Sequence, residues 1–212
     1  MSVLIKNGRV ITSDSDCIAD VLIEGKTIAK VGESLECSDA EVIDATGKYV
    51  LPGFIDPHVH IHLPFMGTNA IDDHASATKA ALAGGTTTLI EMICPGPDDE
   101  PKAAFEEWKA LAEAGACCDF SFHLSVVRFD EIAKQQVRDL VENEGVASFK
   151  VFLAYKGALD IADEQLFELM EIAKELGVII TAHCENAEAV DAMQKRFIAE
   201  GKTGPQWHEP SR

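Results

Sequence analysis

The chain has 212 residues, of which 47% are hydrophobic and 25% are charged, a composition typical of a globular protein that can bury a sizeable core. It contains 18 Lys and Arg but 36 Asp and Glu, which gives a formal net charge of −18. This charge argues against partners such as nucleic acid or an anionic membrane. No run approaches about 18 apolar residues, and Lys6 and Arg9 interrupt any signal-peptide core. The six cysteines form no CxxC pair, so we expect reduced thiols in a cytoplasmic protein.

Residues 1–52 are predicted to form a small β domain. Short apolar runs are separated by the turn-forming dipeptides Asn7-Gly8 and Glu24-Gly25. The stretch EVIDATGKYV, residues 41–50, repeats the pattern.

Residues 53–212 show a different pattern, in which apolar strand-like runs alternate with amphipathic helical ones. The runs follow one another at intervals of 33, 33, 29 and 31 residues, with centres near Ile55, Thr88, Ser121, Lys150 and Thr181. Such a period indicates repeated βα units and a parallel sheet.

The helices between these strands carry recognisable end signals. Pro101 is predicted to open one helix, Asp163 to cap the start of another that Gly177 ends, and Asn186 to cap a third. A closed (β/α)8 barrel with about 32 residues per unit needs about 250 residues, whereas 160 follow Pro52. Length alone therefore favours an open doubly wound sheet.

His58 and His60 follow the first of these strands. Alternate residues of a strand point to the same face, so both imidazoles project together, as two ligands of one metal require. His62 continues the alternation, but Pro64 suggests that the strand has ended, and a His60/His62 pair stays open. The alternative is a pair of satisfied polar residues at a strand end.

Lys150 lies within the apolar strand SFKVFLA, where a buried ammonium is costly. In one interpretation the Lys150 side chain extends to solvent or meets a carboxylate. In the other, its neutral amine reacts with CO2 to give a carbamate that bridges two metals. His183 ends the fifth strand, VIITAH, at the edge where parallel sheets carry their sites.

Four segments in order, PGFIDPHVHIHLPFMGT, AGGTTTLIEM, SFKVFLAYKG and TAHCENAEAV, resemble the amidohydrolase superfamily, and within it the dihydropyrimidinase and hydantoinase family. The resemblance covers essentially all 212 residues. It implies a metal-dependent hydrolase of the α/β class, a (β/α)8 TIM barrel with a small β-sandwich domain made from both chain ends. About five βα units and the amino-terminal sandwich portion are present, so the chain is expected to be the first part of a longer enzyme.

The resemblance also implies two Zn2+ per subunit, bridged by carboxylated Lys150 and a hydroxide. His58 and His60 would bind one ion and His183 the other. A further His and Asp would come from later strands. The implied substrate is a cyclic ureide, dihydrouracil or a 5-substituted hydantoin, opened to an N-carbamoyl amino acid, and the implied assembly is a homotetramer.

Further roles follow from the same resemblance. Tyr155 matches a tyrosine that stabilises the oxyanion, while Leu63, Phe65 and Phe152 match residues that line the substrate pocket. Asp56 is expected either to orient a ligand or to act as a turn residue. Two residues depart from the family pattern. His62 stands where relatives usually carry Asp or Gln, and Glu91 stands where they usually carry Asp.

Two alternatives remain open. One is another cyclic amidohydrolase, a dihydroorotase or allantoinase, although those relatives carry a more polar segment after HxH than IHLPFMGT. The other is a metal-free interaction protein with the same fold. The presence of all four candidate ligands argues against this second alternative.

Overall fold

The computed structural model describes residues 1–65 and 67–212, except for the side chain of Phe65. Two compact units are present, Met1–Phe54 and Ile55–Arg212. His62 and Leu63 are among the described residues. The prediction that Phe65 lines the substrate pocket concerns a side chain outside the described part.

The first unit is built on a mixed five-stranded sheet. Strand β1 lies inside it, pairing antiparallel with β2 and parallel with β4 and β5, while β3 pairs antiparallel with β2. Val10, Ala19 and Val21 form its buried cluster. The strands are β1 Ser2–Ile11, β2 Asp16–Glu24, β3 Thr27–Gly32, β4 Ala40–Asp44 and β5 Tyr49–Val50.

The dipeptide Asn7-Gly8 does not form a turn, and that prediction was wrong. Strand β1 continues through it with a register shift between Ile5 and Gly8, and Asn7 takes a positive φ of 62°. A Cβ atom at Gly8 would collide with the Val50 side chain, so the sequence marks a β-bulge, for which the same residues are suited. The predicted turn at Gly25 is confirmed, since β2 ends at Glu24 and Gly25 has a φ of 61°.

The second unit contains one parallel sheet whose strands follow the predicted period. Its order is β12-β11-β10-β9-β6, and β9, β10, β11 and β12 pair in parallel. A two-stranded hairpin, β7 with β8, and two 3-10 turns accompany it. The elements are β6 Phe54–Val59, β7 Pro64–Phe65, β8 Thr68–Asn69, α1 His74–Ala83, β9 Thr86–Ile93, α2 Pro101–Gly115, β10 Asp119–Ser125, α3 Glu131–Glu144, β11 Ser148–Phe152, α4 Asp163–Leu176, β12 Ile179–His183 and α5 Ala187–Ala199.

Most predicted helix ends are confirmed. Pro101 is the first residue of α2, the Asn186 side chain accepts from the Ala189 N–H at 2.9 Å, and Gly177 ends α4 with a φ of 71°. Asp163 is not an N-cap, which corrects the prediction. It is the first helical residue of α4, and Gln165 Oε1 accepts instead from the N–H of Ala162, at 3.1 Å.

The two faces of the parallel sheet have different roles. One face packs against the helices in the main core, and the other carries a smaller cluster of Met92, Cys94 and Phe152. The main core includes Ile93, Trp108, Leu124, Val137, Leu140, Phe149, Val151 and Leu169. Strand parity therefore separates a helix face from a second face that is available for a site.

The second face is concave. His123 on β10 reaches across β9 and contacts the Pro57 carbonyl oxygen on β6 at 2.8 Å. Strands two positions apart in a flat sheet are separated by about 9.6 Å. A direct contact between the His123 side chain and the β6 backbone is easier to make when the sheet curves and brings β6 and β10 closer together. Among the described residues no helix is both long and apolar enough to cross a membrane.

Candidate functional site

A cavity of about 690 Å³ opens at the carboxyl ends of the parallel strands. His58 reaches it from β6, His60 from just beyond the end of β6, Lys150 from β11 and His183 from β12. All four predicted ligands thus line one space. The other lining residues are His62, Leu63, Pro64, Asn69, Cys94, Pro95, Gly96, Asp99, Glu107, Trp108, Phe152, Tyr155 and Leu159.

The imidazoles of His58 and His60 are neighbours, with ring centroids 5.4 Å apart and planes inclined by 71°. Partial burial lowers the pKa of both rings, and the positive charge of Lys150 lowers them further. For His60, the neighbouring His58 also contributes to the lower pKa. A lowered pKa favours neutral imidazole, the form that binds metals.

His62 has a different environment from the other two histidines. Its ring lies edge-on to the indole of Trp108, with centroids 5.3 Å apart. His58 and His60 are therefore the adjacent pair, while His62 packs against α2. Trp108 is 4% exposed, and its Nε1 is the one buried side-chain polar atom without a hydrogen-bond partner in the described part of the chain.

Lys150 is 5% exposed and lies in register between Ser125 on β10 and Thr181 on β12. Its Nζ is 5.2 Å from the centroid of the Phe152 ring. Burial lowers the pKa of the amine. Within residues 1–65 and 67–212 no carboxylate forms an ion pair with it, so the cost of burying an ammonium here is not offset by a counter-ion.

His183 is held by an acidic neighbour. Its Nε2 hydrogen bonds to Glu185 Oε1, and the guanidinium of Arg212 donates to the same carboxylate at 3.1 and 2.8 Å. The hydrogen bonds from His183 and from Arg212 lower the pKa of Glu185. Because Nε2 donates to a carboxylate, Nδ1 carries the lone pair of a neutral His183 ring.

Tyr155 lies beside His183 in the loop that follows β11. Its ring centroid is 5.4 Å from that of His183 and 5.9 Å from that of Phe152. Its backbone has a φ of 59°, an uncommon conformation for a bulky residue, and such strain concentrates at functional sites. The structure thus brings the predicted oxyanion-binding tyrosine into the same cavity as the four predicted ligands.

The remaining predicted residues divide into two groups. Leu63 and Phe152 line the cavity, and Leu63 packs on the cluster that contains Phe152. Asp56 does not line it, and its carboxylate accepts from the backbone N–H of His58 at 3.1 Å rather than from a ring nitrogen. Asp56 therefore restrains the backbone beside a predicted ligand.

Two buried histidines near the site, His123 and His74, were not predicted from the sequence, and Glu91 was noted there only as a departure from the family pattern. His123 Nε2 donates to Pro57 O, so its Nδ1 accepts from the Ser148 hydroxyl. Glu91 and His74 pair with each other, 2% and 4% exposed. A polar residue inside an apolar strand was the available signal, but its partner lies far along the chain.

The donor set fits a metal centre only if Lys150 takes part. No group of three or more His, Cys, Asp or Glu side chains in the described part of the chain is arranged to hold a metal ion. The cavity instead combines two neighbouring imidazoles, a third imidazole oriented by a carboxylate, and a buried amine without a counter-ion. An amine converted to a carbamate supplies the anionic oxygens that such a set lacks.

Comparisons with known proteins agree on one family. A family model described as "Amidohydrolase family" matches residues 49–208. The chain is 41% identical over 212 residues to the D-hydantoinase of Geobacillus stearothermophilus, covering 100% of this chain and 45% of that protein. It is 39% identical over 212 residues to the dihydropyrimidinase of Dictyostelium discoideum, covering 100% and 42%.

A solved structure gives the same result. The D-hydantoinase (dihydropyrimidinase) from Thermus sp. superposes with a TM-score of 0.96 at 54% identity, over 99% of this chain and 46% of that chain. The chain therefore spans less than half the length of these three relatives.

Proposed function

The chain belongs to the amidohydrolase family, and from that premise we propose that it forms the first part of a zinc-dependent cyclic amidohydrolase. The proposed reaction adds water across the ring amide of 5,6-dihydrouracil or a 5-substituted hydantoin. The C–N bond breaks, the leaving nitrogen takes a proton, and an N-carbamoyl amino acid results. One observation carries the proposal, namely that His58, His60, Lys150 and His183 line a single cavity.

The proposed cofactor is a pair of zinc ions. His58 and His60 would hold one ion, His183 the other, and Lys150 would bridge them as its carbamate. When bound, the ions supply a hydroxide nucleophile at neutral pH and polarise the scissile carbonyl. The family resemblance implies a further His and Asp ligand from outside these residues.

Carbamate formation at Lys150 is favoured by its surroundings. The ammonium first loses one proton; the neutral amine then attacks CO2, a C–N bond forms and a second proton leaves, so the neutral amine becomes an anionic carbamate. Burial lowers the pKa of the amine and so increases the neutral fraction. The apolar surroundings on the helix face, Phe149 and Val151, leave the cavity as the direction in which the side chain can extend.

Tyr155 would act on the substrate itself. Its hydroxyl would donate a hydrogen bond to the carbonyl oxygen as that oxygen gains negative charge. Phe152 and Leu63 form the apolar wall of the same cavity, and they would exclude water and receive the ring substituent. Glu185 would keep the His183 ring oriented, since Arg212 holds the carboxylate from another side.

The rest of the proposal concerns the whole protein. The parallel sheet with helices on one face and a concave opposite face is compatible with five of the eight units of a (β/α)8 barrel, and residues 1–52 with part of a β-sandwich. Assembly as a homotetramer is also proposed, and light scattering of the full-length protein tests it.

Metal analysis combined with turnover tests the function. The full-length protein, produced with zinc and bicarbonate, should contain about two zinc per chain and convert dihydrouracil or hydantoin to the N-carbamoyl product. Protein that is folded but neither binds zinc nor opens either ring would refute the proposal. Turnover of dihydroorotate or allantoin alone would replace it with the related activity.

A further inference from the structure

Glu91 forms a buried clamp on the backbone that follows His60. Its Oε1 accepts from two consecutive N–H groups, those of Ile61 at 3.0 Å and His62 at 2.7 Å. Strand β6 ends at Val59, so these two amides lie just beyond the strand. A carboxylate that accepts from successive amides satisfies both donors with one charged group.

The second oxygen of Glu91 is also fixed. His74 Nε2, on the first residue of α1, donates to Glu91 Oε2 at 2.7 Å. His74 is itself held, because Asp73 and Ser76 form a capping box around it and Thr78 Oγ1 donates to its carbonyl oxygen at 2.5 Å. The clamp therefore ties the segment after His60 to the start of a capped helix.

Glu91 does not line the cavity. It has the same strand parity as Leu89 and Ile93, and so points to the helix face of β9. Its hydrogen bonds reach the site through the backbone of residues 60–62, and its negative charge also acts on the His60 ring through space. That path is short, because the peptide bond that supplies the N–H of Ile61 is the one that follows His60.

Strand β6 needs such a restraint. It lies at the edge of the described sheet with β9 as its neighbour, and most of its residues are exposed. The His58/His60 segment is bracketed by two buried side chains, with His123 bonded to Pro57 O before it and Glu91 bonded to Ile61 and His62 after it. The two bracketing side chains come from other strands of the sheet, Glu91 from β9 and His123 from β10.

We infer that Glu91, held by His74, is a positioning residue that sets the orientation of the His58/His60 metal-binding pair. The inference rests on the proposed function in that it takes these histidines as ligands. Supporting residues around metal ligands typically change metal affinity by about 10- to 100-fold when they are replaced. The clamp acts on the backbone of the ligand rather than on its ring.

The test uses the full-length protein and zinc alone, with a chelator competition that gives the zinc dissociation constant. Glu91→Leu, which removes all three acceptor contacts, should weaken zinc binding by about 10- to 100-fold. Glu91→Gln retains an uncharged acceptor and should show a smaller loss in the same direction. The absorption spectrum of the cobalt-substituted variants should change as well, since it reports ligand geometry.

A buried carboxylate of the first unit provides a matched control. Asp20 also accepts from two backbone amides, those of Asn7 at 2.8 Å and Leu35 at 2.9 Å, and is 3% exposed. Asp20→Asn should lower stability without changing zinc affinity per folded molecule. If Glu91→Leu does not fold, Glu91→Gln and His74→Leu carry the measurement.

The outcomes separate this inference from the proposed function. Wild-type zinc affinity and cobalt spectra in the Glu91 and His74 variants, with an active parent, would overturn the positioning role and leave the function intact. A parent that binds no zinc would instead overturn the function on which the inference rests.

Discussion

Phe152 and His183 lie opposite each other in the β11–β12 pair, and their ring centroids are 6.1 Å apart. One wall residue of the proposed substrate pocket therefore contacts one proposed metal ligand. A smaller residue at position 152 would also change how the His183 ring packs. Leu63, which lines the cavity from another segment, is the cleaner position for changing pocket size.

Replacement of Leu63 by Ala should shift substrate preference towards larger 5-substituents, because the apolar wall loses volume. One methylene in such a pocket changes kcat/KM by roughly 10- to 200-fold, and Leu63→Ala removes more than that. The ratio of kcat/KM for bulky and unsubstituted hydantoins measures the effect. Leu82→Ala, at a partly exposed position on α1, is the control, and an unchanged ratio for Leu63→Ala would contradict the pocket assignment.

Replacement of Lys150 by Ala should abolish the two-metal centre and reduce turnover to background, since no other residue in the set supplies a bridging anion. Zinc content by elemental analysis is the primary measurement. Lys102→Ala, which removes a half-exposed lysine paired with Asp139 on the helix surface, should retain both ions. Full zinc occupancy in Lys150→Ala would refute the bridging role.

Loss of the Tyr155 hydroxyl in Tyr155→Phe should lower kcat by about 10²- to 10³-fold, the usual cost of removing one oxyanion donor. Zinc content should be unaffected, because the tyrosine is not a proposed ligand. The chain has one other tyrosine, Tyr49, which is 64% exposed in the first unit. Tyr49→Phe is therefore a matched control, and equal kcat values for the two variants would exclude Tyr155 from the chemistry.

Neutralising Glu185 in Glu185→Gln should weaken zinc binding by about 10- to 100-fold, because an ionised partner orients His183 and increases its basicity. The measurement is the zinc dissociation constant of folded protein. Glu188→Gln changes a largely exposed carboxylate three residues later that pairs with Lys156, and should leave the constant unchanged. Equal constants for both variants would show that the Glu185 contact is incidental.

The N-cap of α3 should make stability depend on pH. Asp130 accepts from the Ala133 N–H at 2.8 Å, and that bond, followed by the one from Arg128, lowers the pKa of Asp130. A lowered folded-state pKa means that its contribution is present above the unfolded-state pKa and is lost as pH falls through the folded-state value. Asp130→Ala should therefore lower Tm at neutral pH, and the difference should shrink in acid.

The control for that effect is Asp163→Ala, in the first turn of α4 but not its N-cap. Its Tm should change less than that of Asp130→Ala at neutral pH. A Tm difference for Asp130→Ala that persists unchanged into acid would contradict the capping explanation.

The convergence of residues from three distant strands was predictable from the periodicity of the chain. Alternate residues share a strand face, and the carboxyl ends of parallel strands meet at one edge, so His58, Lys150 and His183 had to approach one another once the βα period was recognised. The structure places all three at one cavity. The metals that they are proposed to hold stay a prediction.

The supporting residues could not be predicted in the same way. The Glu91–His74 pair joins a strand to the start of a helix, and nothing local in either segment specifies the other. The positive φ of Tyr155 depends on the loop around it rather than on its own preference. At Asn7-Gly8 the local signal was real but ambiguous, because a bulge and a turn require the same backbone freedom.

The strand order of the parallel sheet also has a consequence for biosynthesis. In the order β12-β11-β10-β9-β6, each strand of the βα series pairs with the strand made immediately before it. A nascent chain that leaves the ribosome can therefore add strands one at a time, each onto a completed template, without waiting for a distant partner. Each new pairing closes only one βα crossover, so its loop-closure entropy is lower than that of pairing between distant strands, while a parallel sheet still folds more slowly than local hairpins.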